Sequence, residues 1–66
     1  MGDLKDRDII FEFHRIGPAV KVTAVDVSTM TEVSMQGPAS TPESVLKQEV
    51  VKKLAYVLRK NGKIAE

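Results

Sequence analysis

Cysteine and tryptophan are absent from this chain of 66 residues, and histidine occurs once. Without thiols there is no disulfide framework and no thiolate metal site. His14 stands alone, and one imidazole without a tight carboxylate cluster does not make a transition-metal site. Asp3, Asp6 and Asp8 lack the further ligands at fixed offsets that a calcium loop needs. Aromatic residues are limited to Phe11, Phe13 and Tyr56. No apolar run approaches the ~20 residues of a membrane span. Met1 to Asp8 is polar, so no signal peptide is expected, and Asp6 stands where a myristoylation motif carries Ser or Thr. These absences lead to the expectation of a cytoplasmic protein with no cofactor, no metal and no membrane partner.

What is present is a change of period at Pro42. Before it, apolar residues alternate: Ile9-Phe11-Phe13, Val20-Val22-Ala24 and Val33-Met35. After it, Leu46, Val50, Leu54, Val57 and Leu58 recur at helical spacing, a stripe of about 120°. The sequence therefore predicts an α+β fold, a three-stranded antiparallel β-meander with one C-terminal amphipathic helix on one face (βββα). The strands are expected over Asp8–Ile16, Ala19–Val27 and Glu32–Gln36, and the helix over Pro42–Lys60. Residues 1–7 and 63–66 are read as tails and 8–62 as one domain. A core of thirteen apolar residues is small, so the domain is expected to be marginal or helped by self-association.

Gly17-Pro18 reads as a turn. Pairing Ile16 with Ala19 across it sets Phe13 opposite Val22 and Phe11 opposite Ala24. On the reverse face His14 then meets Lys21, Glu12 meets Thr23, and Ile10 meets Val25. A one-residue slip would mix the two faces. Ser28-Thr29-Met30-Thr31 has no glycine for a tight turn, so a looser loop with Met30 at its tip is expected. Thr41 is the expected N-cap, Pro42 the first helical residue, and Asn61-Gly62 the stop.

Candidate chemistry is sparse. With Ser34 placed in the row of Ile10 and Val25, it stands roughly 17 Å from His14. A nucleophile and its base must approach within about 3 Å, so no catalytic residues are assigned. Gly37-Pro38-Ala39-Ser40-Thr41 precedes a helix N-terminus, where anions can bind, but it carries one glycine rather than a phosphate cradle. Tyr56 is read as covering a sheet edge with its ring, or else as an interface residue.

Two surfaces remain. The outer sheet face and the first strand's edge, with Ile10, Glu12, His14 and Val25, are the candidate site for a protein partner or a second copy. The first strand has no proline to block its edge. The other surface is basic. Residues 1–33 hold six acids and four bases, net −2, whereas residues 34–66 hold three acids and six bases, net +3. Lys52, Lys53, Arg59, Lys60 and Lys63 could touch nucleic-acid phosphates. The simpler reading is a solvated helix face favoured by the macrodipole, and the outer sheet face has no aromatic on which bases could stack. The function expected is a non-catalytic protein-interaction module, with weak nucleic-acid binding as the alternative.

The run Ile10-Phe11-Glu12-Phe13, then Val20-Lys21-Val22-Thr23-Ala24-Val25-Asp26, then Thr31-Glu32-Val33 and Gly37-Pro38-Ala39 resembles a family of short alphaproteobacterial proteins of unknown function. Lys53-Leu54-Ala55-Tyr56-Val57-Leu58 is similar too. The resemblance covers about Ile9 to Lys60, and it implies the fold but no activity. Relatives carry Asp-Thr-Gly-like residues where this chain has Ser28-Thr29-Met30-Thr31.

Overall fold

The computed structural model describes residues 7–63, so most of the two expected tails, residues 1–6 and 64–66, lies outside the described residues. Three strands form one antiparallel sheet in the order β1-β2-β3: β1 Ile9–Ile16, β2 Ala19–Asp26 and β3 Thr31–Pro38. The helix α1, Glu43–Lys60, follows. The β1–β2 register matches the sequence reading at every quoted pair, from Ile16 opposite Ala19 to Ile10 opposite Val25. Gly17 takes φ +58°. A glycine with positive φ followed by proline, whose ring holds φ near −65°, suits the two central positions of a type II′ hairpin turn.

The second connection has the expected four residues but begins one residue earlier, at Val27. Asp26 pairs with Thr31, leaving only residues 27–30 to turn. Met30 accepts the left-handed conformation that glycine usually takes (φ 57°) and stands 76% exposed. Thr29 holds this turn without glycine, donating its hydroxyl to the Asp26 carboxylate at 2.6 Å. This shift of the turn moves β3 by one row. Ser34 lies opposite Thr23, in the row of Glu12, and not with Ile10 and Val25.

All thirteen residues assigned to the core belong to it. Val22, Ala24, Val33, Leu46, Val50, Leu54 and Leu58 are buried, with Ile9, Phe11, Phe13, Val20, Met35 and Val57 packed around them. The four buried helix residues, Leu46, Val50, Leu54 and Leu58, follow a strict four-residue step. Such a ridge winds about 40° per step around the axis, so the buried stripe twists along the helix instead of running straight. The helix lies over β2 and β3. Phe11 and Phe13 therefore face the helix side, as expected, but stay only half-buried at its margin. The Lys47 ammonium sits 4.9 Å from the centre of the Phe11 ring, a cation–π contact that covers part of that margin.

The helix ends differ in how well the sequence describes them. Pro42, and not Thr41, occupies the N-cap, and no side chain caps the first turn. The Thr41 N–H instead donates to the Pro38 carbonyl at 2.9 Å, which keeps Thr41 in the preceding turn. At the C-terminus Gly62 takes φ 72°. The Gly62 N–H donates to the Arg59 carbonyl at 3.0 Å and the Lys63 N–H to the Leu58 carbonyl at 2.8 Å, the paired bonds of a Schellman stop.

Candidate protein-interaction surface

The free edge of the sheet can be located bond by bond. The Val27 N–H donates to the Asp8 carbonyl at 3.1 Å, and the Ala39 N–H to the Pro18 carbonyl at 2.9 Å. Hydrogen-bonded pairs alternate along an antiparallel ladder. The even residues of β1 therefore bond to β2, and the backbone groups of Ile9, Phe11, Phe13 and Arg15 point outward. By the same count, Glu32, Ser34, Gln36 and Pro38 point outward from β3.

The two edges are treated differently. On β3, Pro38 has no N–H to offer, and the Lys53 ammonium donates to the Ser34 carbonyl at 2.8 Å. Lysine, proline and an overlying helix are ways of blunting an edge strand. On β1 nothing comparable occurs among the described residues. Its outward N–H and C=O groups make no hydrogen bond among the described residues, and β1 contains no proline.

Ile10, Glu12 and His14 stand together on the exposed outer face of β1, with Val25 half-buried beside Ile10. The structure thus brings all four candidate residues onto one surface. Ile10 is 53% exposed and Ile16 on the same strand 52%, so two large apolar side chains frame the polar pair Glu12 and His14. Thr23, at the centre of this face, is buried.

Lys52, Lys53, Arg59 and Lys60 fall within an arc of about 120° on the solvent side of α1. Several have local partners. Lys53 holds β3, Lys52 lies 3.8 Å from the Glu49 carboxylate, and the Lys60 ammonium is 5.9 Å from the Tyr56 ring centre. Lys63 follows the helix stop, its carbonyl accepting from Arg7 at 3.2 Å. The Tyr56 ring lies mostly in solvent beneath Lys60 and does not cover a sheet edge.

One cluster went unread in the sequence. Asp26 is fully buried on the helix-facing side of β2. The Arg7 guanidinium, part-buried, meets its carboxylate at 2.8 Å, and Thr29 donates to the same oxygen. Thr29 and Thr31 share a hydroxyl hydrogen bond at 2.7 Å. The other carboxylate oxygen, Oδ1, is buried without a partner. Arg7 also donates to the Lys63 carbonyl, so one side chain ties the approach to β1, the end of β2 and the end of α1 together. The alternation that places Val20, Val22 and Ala24 inside also places Asp26 there, and a buried carboxylate requires a cation. That signal was legible in the sequence.

Ser34 and His14 are separated by one outer row and two strand spacings, roughly 12 Å. Among the described residues no group of His, Asp and Glu could hold a metal ion. No helix among them is long and apolar enough to cross a membrane.

The sequence family described as a domain of unknown function, DUF6898, matches residues 6–61. The chain belongs to this family. The match begins next to Arg7 and ends at Asn61, so it spans the strands, the Arg7–Asp26 pair and the helix. No curated protein and no solved structure matches the chain.

Proposed function

We propose that the chain is a non-catalytic protein-interaction module that binds through β1, using the strand's open edge and the outer face around Ile10, Glu12, His14 and Val25. The observation that carries this is the β1 edge, unguarded among the described residues, against the guarded β3 edge on the opposite side of the sheet. An exposed strand edge supplies backbone hydrogen bonds to an added strand, and side chains on alternate residues supply specificity. The distance between Ser34 and His14 supports the non-catalytic part of the reading. The sequence resemblance and the absence of cysteine support a cytoplasmic, alphaproteobacterial setting.

A photo-crosslinking residue placed at Ile10, compared with one at Lys52, tests this in living cells. Adducts with protein from Ile10 and none from Lys52 support the reading. No adducts from Ile10 contradict it.

The common solvent arc of Lys52, Lys53, Arg59 and Lys60 favours a second reading, weak nucleic-acid binding by the C-terminal half of α1. It requires affinity that falls steeply with salt. An NMR titration with mixed RNA and DNA at low salt would shift the amides of Arg59 and Lys60, and unchanged spectra dispose of it.

A further inference from the structure

We infer that the partner of the β1 edge is a second copy of this chain, paired antiparallel with Phe13 on the twofold axis to make a continuous six-stranded sheet. This rests on the reading of β1 as the interaction surface and adds the partner and the register.

The first argument is geometric. An isologous pair places the same patch against itself. With the axis perpendicular to the sheet, helix-facing residues stay on one side, so only registers that pair odd residues with odd are compatible. The odd residues of β1 are those with outward backbone groups, so every such register also hydrogen-bonds correctly.

Side chains choose among these registers. Centring on Glu12 sets Glu12 against Glu12 of the other copy, two like charges in a non-hydrogen-bonded pair where side chains are closest. Centring on Phe11 sets Arg15 against Arg7 of the other copy, and Arg7 is already committed to Asp26. Centring on Phe13 sets Glu12 against His14, Ile10 against Ile16, and Phe11 against Arg15. Each of these is favourable: a carboxylate with an imidazole, two exposed isoleucines together, and a guanidinium beside an aromatic ring. This register uses nearly the whole strand and forms about six new backbone hydrogen bonds.

The half-buried phenylalanines supply the second argument. In one copy the helix covers β2 and β3 and leaves the β1 side open. In the pair, two β1 strands meet between two helices on the same sheet face. Phe11 and Phe13 of both copies then form one apolar strip there. The outer face is a poorer site for the same partner, because Glu12, His14, Lys21, Glu32 and Gln36 would all have to lose water there.

The test is NMR on the wild-type chain, mixing isotope-labelled and unlabelled copies at high concentration. The inferred register brings the Glu12 and His14 Cα atoms of different copies to about 4.5 Å. Within one strand they are about 6.8 Å apart. A filtered cross-peak between Glu12 Hα and His14 Hα of different copies is therefore expected, with a dimer in sedimentation. Filtered cross-peaks from Glu12 to Ile10, or between Ile10 and His14, report the Phe11- and Glu12-centred registers and overturn this one. A monomer at about 1 mM, weaker than the loosest self-association worth the name, overturns the pairing altogether. Arg15→Pro removes an outward N–H from an exposed position and should weaken dimerisation at least tenfold while core chemical shifts stay in place. Glu12→Lys should weaken it severalfold, and adding His14→Glu should restore it, because the swap reinstates the pair only in this register. Failure of the swap to restore dimerisation also counts against it. If the purified chain is monomeric while Ile10 crosslinks to a different protein, the self-pairing fails and the interaction reading stands. If Ile10 gives no adduct, both fail.

Discussion

The two outer strands of the sheet have the same length and the same central neighbour but are held in different ways. β3 is covered by α1, tied by Lys53 at Ser34 and ended by Pro38. β1 pairs with β2 along its whole length and is tied at its ends by the Gly17-Pro18 turn and by Arg7 on Asp26, but α1 does not cover it. A fully paired strand whose outer flank is bare among the described residues is ordered enough to present its backbone and free enough to accept another strand. The contrast teaches that a very small sheet can protect one edge and offer the other without any specialised insertion.

The largest effect should come from the clip at the start of β1. Arg7→Ala leaves the buried Asp26 carboxylate without its cation, and breaking a buried pair costs about 3–5 kcal/mol. Denaturant unfolding should show most of the stability of so small a domain lost, with β1 the first strand to exchange its amides. Thr29→Val removes the hydroxyl donated to the same carboxylate and should cost about 1–2 kcal/mol in the same assay. Gly37→Ala acts on the guarded side. A Cβ there would lie 3.0 Å from the end of the Leu46 side chain, so that side chain must give way slightly, at about 1 kcal/mol in thermal unfolding. The smallest effects on folding sharpen the comparison most. Lys53→Ala should change stability by less than about 0.5 kcal/mol yet uncover the Ser34 carbonyl, giving a second and weaker association in sedimentation. Gln36→Pro on β3 also removes an outward N–H, and it should leave dimerisation intact, unlike the same change at Arg15.

How far the sequence could be read depended on whether one residue or several carried the signal. The β1–β2 register was legible because Gly17-Pro18 fixes the turn and six cross-strand pairs agree with it. The helix stripe and its Gly62 stop were legible for the same reason, since local spacing and end chemistry point one way. The second turn was not, because it is held by a contact between Thr29 and Asp26 rather than by glycine. That misreading placed Ser34 one row away from its true position. Thr41 looked like a cap by residue type, but its backbone is engaged with Pro38 and the helix begins one residue later than expected. The half-exposure of Phe11 and Phe13 depends on where α1 crosses the sheet, which no alternation of β1 reveals. Ile10, Glu12, His14 and Val25 were legible as a surface from parity alone. The outward backbone of β1 and the lysine guarding β3 required the ladder and the helix position together.

The most direct measurement is amide hydrogen exchange along β1 at low and high protein concentration. In dilute solution Ile10, Glu12 and His14, bonded to β2, should exchange slowly, and Phe11, Phe13 and Arg15 quickly. On concentration, Phe11, Phe13 and Arg15 should become protected while the amides of Glu32, Ser34 and Gln36 on β3 do not. Slow exchange of Phe11 and Phe13 in dilute solution, or exchange as fast at high concentration as at low, would contradict the claim that β1 carries the open, self-pairing edge.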